Sequence, residues 1–245
     1  MKVAFFGGSF DPPHPTHRRV ALAAQRLLGL DEVWFAPAGR QPLKQHEPPP
    51  ASFDDRVAML RLALAGHAGL TVSLADAPRA EPNYSVDTLA RLRPTLPPGA
   101  QLFFLGGADT FLSLPHWRSP AALLRMGELL DGWILAARPG FPLQQLADAL
   151  PYGFTLGSPL PAPFEPSQAT AAPASQTVRL HTIEVCTSGL PPMPLHLLTG
   201  MEDPTAATTI RTQIAEGRDD VPLDPDVLAY IRAHGLYSGG SRMLR

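Results

Sequence analysis

Apolar positions along the chain fall into two rhythms, short unbroken runs and longer stretches with a helical period. Val3-Ala4-Phe5-Phe6, Glu32-Val33-Trp34-Phe35-Ala36, Leu70 to Leu74, Gln101-Leu102-Phe103-Phe104-Leu105, Trp133-Ile134-Leu135-Ala136-Ala137 and Leu195 to Leu198 read as buried strands. Between them, Arg18 to Leu28 is rich in Ala and Leu with a helical period. A second helix is expected from Ser52 to about Ala65, with Ser52 as cap, Asp54 and Asp55 favouring its positive end, and Val57, Met59, Leu60 and Leu64 toward the core. A third runs through Arg93, with Ser85 as its N-cap. Strand, helix and strand in this order predict β-α-β units and a parallel sheet, a doubly wound α/β fold.

The carboxyl half is less regular. Pro151 to Pro194 is rich in Pro and Ala and reads as an insertion, part flexible and part hairpin, within which Val178 to Val185 alternates like an exposed strand. A helix opens at Thr205, and Val221 to Tyr237 forms a terminal helical element expected to pack on the sheet. The expected organisation is an α/β domain over 1–215 with the 151–194 insertion, a helical element over 216–237 packed on it, and a disordered tail over 238–245.

Composition narrows the function classes. The 245 residues suffice for one sizeable core, and 44% hydrophobic residues fit a soluble globular protein. A net charge of −2 leaves no electrostatic footprint for nucleic acid or an acidic membrane. The single cysteine, Cys186, excludes an internal disulfide framework. With a strand in place of a signal peptide and no bilayer-spanning apolar run, a cytoplasmic location is expected. Proline, 29 residues of 245, is more than twice the usual share of about 5% and marks the loops.

The chemistry concentrates in Gly7-Gly8-Ser9-Phe10-Asp11-Pro12-Pro13-His14-Pro15-Thr16-His17. A strand, a glycine turn and a helix start form an arrangement that holds phosphate, because glycines admit the ligand to the backbone and free helical N–H groups attract anions. His14 and His17, three apart, face the same way if both lie on the first helical turn. Paired imidazoles at a positive helix end suit a negatively charged transition state. Two histidines with no third ligand nearby do not make a metal site.

This stretch resembles the Gly-Gly-(Ser/Thr)-Phe-Asp-Pro-x-His-x-Gly-His signature of the HxGH nucleotidyltransferases, and among them the nicotinate-nucleotide adenylyltransferase family of NAD synthesis. Glu81 to Leu89 is similar to that family's Tyr-(Ser/Thr)-x-x-Thr-Leu segment, and Phe111 to Trp117 to its Leu-x-x-(Phe/Leu)-x-x-Trp. Arg138-Pro139-Gly140 matches the end of its fifth strand, and the Gly-Leu-Tyr ending at Tyr237 matches its carboxyl terminus. Thr205 to Arg211 looks like its Ile-Ser-Ser-Thr-x-Ile-Arg signature. The chain departs from the pattern at Thr16, where the signature has glycine, at Leu43, which replaces a histidine, and at Ala206 and Ala207, which replace two serines.

The resemblance implies a Rossmann-like nucleotidyltransferase fold and transfer of the adenylyl group of ATP to nicotinate mononucleotide, with Mg²⁺ carried on ATP. It implies catalytic roles for His14, His17, Lys44 and Arg211, the basic residues at the phosphates. ATP binding falls to Gly7, Gly8, Ser9, Phe10, Gly107, Asp109 and Thr208, with the Gly7 to Phe10 backbone carrying the nucleotide and Asp109 a ribose. Nicotinate mononucleotide falls to Tyr84, Ser85, Trp117 and Arg138. Ser85 also reads as a helix cap and Trp117 as a packing residue; capping and anion capture are compatible. Two alternatives stay open: preference for the amide, nicotinamide mononucleotide, and a nucleotide-binding protein of low turnover, motivated by the four departures. A homo-oligomer is compatible with the sequence.

Overall fold

The computed structural model describes residues 1–40, 50–137, 141–142, 144–157, 178–201 and 206–238. Its first strand, β1 (Lys2–Gly8), feeds α1 (Pro15–Leu28), β2 (Glu32–Pro37), α2 (Phe53–Leu64) and β3 (Leu70–Val72). There follow α3 (Ser85–Leu92), β4 (Gln101–Gly107), α4 (Ala108–Leu112), β5 (Gly132–Ala136), α5 (Gln144–Asp148) and β6 (Phe154–Leu156). The described chain closes with β7 (Arg179–Thr187), β8 (Met193–Thr199), α6 (Ala207–Ala215) and α7 (Pro225–Ala233).

These strands form one sheet in the order β3-β2-β1-β4-β5-β8-β7-β6. The first six positions pair in parallel. This is the expected doubly wound α/β arrangement, and its apolar runs are unbroken because the central strands are buried on both faces. Val3 and Phe5 of β1 join Leu102, Phe104, Trp133 and Leu135 on one side. Ala4 and Phe6 join Phe35, Leu105 and Ile134 on the other. Each of the Val, Leu, Ile and Phe side chains contributes roughly 1.5–3 kcal/mol on burial, and the Trp133 indole N–H is satisfied by the Leu123 carbonyl at 2.9 Å.

The sheet departs from a wholly parallel one at the far edge. There β7 runs antiparallel to β8, and β6 antiparallel to β7. The described parts of the stretch read as an insertion therefore extend the sheet: Ile183 and Val185, alternate residues of β7, turn into the core, as the two-residue period requires. Residues 158–177 of that stretch lie outside the described residues, as do residues 239–245 of the expected tail.

Two local expectations are corrected. Tyr84, not Ser85, caps α3: its backbone is extended (φ −88°, ψ 133°) and its carbonyl accepts from Asp87 and Thr88 N–H at 3.0 Å, so Ser85 is the first helical residue. The terminal helix α7 rests on α2 rather than on the sheet, through Val227 and Ile231 against Met59 and Ala63. Ser52 caps α2 as expected, accepting from Asp55 N–H at 3.1 Å.

Strand order reverses at β1: the chain moves outward to β2 and β3, then crosses back to β4 on the other side. Ligands of open parallel sheets bind outside the carboxyl ends of strands at such a point. Gly7 and Gly8, and Gly106 and Gly107, end the two strands there.

Candidate active site

The glycine pair at the end of β1 is dictated by what lies beneath it. Phe10 turns back with a left-handed φ of 49°, and its ring wedges against Phe6 at 5.3 Å and Phe35 at 5.5 Å between centroids. A Cβ on Gly8 would stand 3.0–3.4 Å from that ring, and one on Gly7 3.2 Å from Phe5. The Phe10 side chain is 2% exposed and supports the loop from below.

His14 occupies the N-cap of α1, Pro15 the first helical position and His17 the third. Proline costs nothing at that position, where an N–H has no intrahelical partner. The His14 N–H donates to His17 Nδ1 at 3.1 Å, and the two rings stand 3.8 Å apart between centroids at 35°. An accepting Nδ1 assigns the His17 proton to Nε2. Burial, then the neighbouring His14, pushes the His17 pKa well below the ordinary value of 6.5, against the backbone hydrogen bond that raises it. His17 is therefore a neutral donor. Thr16, at the signature's glycine position, is an ordinary second residue of the helix and needs no special backbone conformation.

Three side chains from distant elements brace this loop. Arg56 of α2, 2% exposed, donates to the carbonyls of Ser9 at 2.7 Å and Ala38 at 2.9 Å. Arg211 of α6 donates to the Asp11 carbonyl at 2.7 Å and to Thr208 Oγ1 at 3.4 Å. Asp11 Oδ1 accepts from the Tyr237 hydroxyl and from the Ala51 N–H. Burial raises the Asp11 pKa, opposed first by Tyr237 and then by Arg211, the Ala51 N–H and Arg56. Ala206 caps α6 without a side-chain bond, as expected once the signature serines are replaced.

Beside the loop a cavity of about 310 Å³ opens at the carboxyl ends of β1 and β4, and Gly7, Gly8, Ser9, Tyr84, Ser85 and Trp117 line it. Trp117 sits at its wall with the indole N–H on Ser113 Oγ at 2.8 Å and its ring edge-on to Phe104 at 5.6 Å. It is both a packing residue and a face of the cavity. Arg118 lies over the Tyr84 ring at 4.9 Å and pairs with Asp87 at 3.2 Å.

Six residues expected from the sequence thus share one cavity. His14, His17, Thr208 and Arg211 gather about the neighbouring helix start and do not line it. Gly107 caps the short α4 and Asp109, exposed, stands in its first turn at the end of β4. Lys44 and Arg138, with Leu43, lie outside the described residues.

Sequence reasoning missed Asp76, Asn83, Arg56 and the Tyr237–Asp11 contact. Asp76 lines the cavity. Its Oδ1 accepts from Thr88 Oγ1 at 2.8 Å, and the Asn83 amide donates to the carbonyls of Asp76 and Ala77. Burial raises the Asp76 pKa to about 6, against the Thr88 and Asn83 hydrogen bonds and Arg91 and Arg79. No periodicity marks a loop acid. Arg56 did leave a signal, since it lies four before Leu60 and so on the apolar face of α2.

The family model described as cytidylyltransferase-like matches residues 5–137. The protein named "Probable nicotinate-nucleotide adenylyltransferase" of Chromobacterium violaceum is 37% identical over 243 residues, covering 96% of this chain and 98% of that one. The protein of the same name from Gloeobacter violaceus is 34% identical over 240 residues, covering 96% of each. Among solved structures, the Plasmodium falciparum nicotinic acid mononucleotide adenylyltransferase complexed with NaAD superposes with a TM-score of 0.66 at 15% identity, covering 96% of this chain and 97% of that one. That likeness speaks to the fold.

Proposed function

The chain belongs to the nicotinate-nucleotide adenylyltransferases within the cytidylyltransferase-like family, and from this we propose how its residues carry the reaction. The protein is a nucleotidyltransferase: it transfers the adenylyl group of ATP to nicotinate mononucleotide, giving nicotinate adenine dinucleotide and pyrophosphate in NAD synthesis. A phosphate oxygen of the mononucleotide bonds to the α-phosphorus, and the bond from that phosphorus to the bridging oxygen breaks as pyrophosphate leaves. No covalent enzyme intermediate is needed. The protein's work is positioning and charge stabilisation.

The observation that carries this reading is the adjacency of the paired-histidine helix start to the cavity at the reversal of strand order. In it, the Gly7–Phe10 backbone carries the nucleotide, and His14 and the Nε2–H of His17 donate to the α- and β-phosphates. The neutral His17 imidazole stabilises the growing negative charge by hydrogen bonding rather than as a full cation. Lys44 and Arg211, with Thr208, neutralise the leaving pyrophosphate, and Mg²⁺, arriving on ATP, offsets the charge of the outer phosphates. Gly107 and Asp109 receive a ribose. Tyr84, Ser85, Trp117 and Arg138 hold the nicotinate mononucleotide, the pyridine ring stacking on Trp117. A cytoplasmic site of action goes with this reading, and no described helix is long and apolar enough to cross a membrane.

One observation favours activity on the amide as a second substrate. The ionised Asp76 in the cavity wall accepts hydrogen bonds from a carboxamide and repels a carboxylate. The test of the main reading is His17→Ala in an assay of dinucleotide formation from ATP and nicotinate mononucleotide. It should lose turnover by about 100-fold or more, and near-normal turnover would sink the mechanism.

A further inference from the structure

The carboxyl-terminal tyrosine closes on the loop that carries the two histidines. Tyr237 stands 226 positions from Asp11 in the chain, yet its hydroxyl donates to Asp11 Oδ1 at 2.5 Å. A left-handed φ of 60° at Tyr237 turns the chain back after α7. The preceding Leu236 is anchored in the cluster that α7 makes with α2, among Met59, Val227 and Ile231.

Asp11 is 3% exposed, and an ionised carboxylate there needs compensation on every side. From the terminus comes the Tyr237 hydroxyl, from the segment before α2 the Ala51 N–H, from α2 the Arg56 charge and from α6 the Arg211 charge. The Arg211 guanidinium also holds the Asp11 carbonyl, and Arg56 holds the carbonyl of Ser9 two residues before. Between Asp11 and the helix cap His14 stand only Pro12 and Pro13, and Pro15 opens the helix. Prolines lock φ, so displacement of Asp11 passes to His14 and His17 with little slack.

Resting on the reading of the function above, we propose that Tyr237 is a positioning residue for adenylyl transfer, fixing through Asp11 the Ser9–His14 loop so that both imidazoles meet the phosphates. A tyrosine beyond the last helix thereby becomes part of the site's construction, although it touches no substrate.

Tyr237→Phe tests this, since it removes one hydroxyl and keeps the ring. We expect kcat to fall about tenfold with KM for both substrates within about twofold. The hydrogen bond from Tyr237 favours ionised Asp11, so its loss raises the Asp11 pKa and moves the acid limb of the kcat profile upward by about half to one pH unit. Ile183→Ala, at a buried residue of β7 at the other end of the sheet, should lower Tm and leave that limb in place. A wild-type kcat and acid limb in Tyr237→Phe, or an equal movement of the limb in Ile183→Ala, would overturn the proposal. An isotope-labelled carboxyl resonance of Asp11, assigned by its loss in Asp11→Asn, reads the same shift without turnover. Absence of turnover in the wild type would refute the adenylyltransferase reading alone; an unmoved Asp11 resonance in Tyr237→Phe would refute the proposal about Tyr237.

Discussion

Replacing Asp76 by Asn removes a charge from the cavity wall and keeps an oxygen to accept from Thr88. The pKa of Asp76 is raised from 3.8 to about 6, chiefly by burial. A carboxyl raised on folding binds its proton more tightly in the folded state, so its ionisation costs stability as pH rises between the unfolded and folded values. A rise from 3.8 to about 6 corresponds to about 3 kcal/mol. Roughly half of that is already lost by about pH 5, and about 1.4 kcal/mol more goes between about pH 5 and about pH 8. The variant ionises nothing at position 76, so it should be spared that loss. In a chain of this size the spared amount corresponds to roughly 3–6 °C in Tm. Thermal melts of both proteins across this range, followed by circular dichroism, read it directly. The Tm difference, variant minus wild type, should grow in the variant's favour as pH rises. A difference that stays constant with pH, or grows the other way, would refute a burial-raised Asp76.

Two further expectations follow from the same geometry. Gly8→Ala sets a methyl 3.0–3.4 Å from the buried Phe10 ring and should cost about 1–3 kcal/mol, read as a lowered urea midpoint; an unchanged midpoint would show that Phe10 can shift freely. If the cavity that Asp76 lines takes nicotinate mononucleotide as proposed, protonated Asp76 tolerates its carboxylate and ionised Asp76 disfavours it. The ratio of kcat/KM for the acid over the amide should therefore fall as pH rises through about 6, and a ratio flat with pH in the wild type would remove Asp76 from substrate choice.

What the sequence made legible, and what it did not, follows from the range of the interactions. Strands β1, β2, β4 and β5 announced themselves because burial on both faces leaves their interiors apolar, with Lys2, Glu32 and Gln101 polar only at the first positions of β1, β2 and β4. The shared facing of His14 and His17 is local, set by a spacing of three along one turn, although the helix begins at Pro15, three residues before the Arg18 start that its apolar period suggests. Tyr84, Ser85 and Trp117 came through resemblance, and the shared cavity is the geometry that unites them. The antiparallel β6 and β7 were obscured by the proline-rich composition around them, although the alternation over Val178 to Val185 was correct in kind. Asp76, Arg56 and the Tyr237–Asp11 contact depend on pairings across 12, 47 and 226 positions. No periodic pattern encodes contacts of that range; only the folded sheet brings them together.

The central claim is adenylyl transfer to the acid form of the pyridine mononucleotide. The most direct test is pyrophosphate release by the purified protein with ATP, Mg²⁺ and either nicotinate or nicotinamide mononucleotide near neutral pH. Turnover with both histidines intact and a preference for the acid are expected. Turnover confined to the amide would contradict the assignment of Ser85 and Trp117 to a carboxylate-bearing ring. No pyrophosphate with either substrate would contradict the adenylyltransferase reading itself.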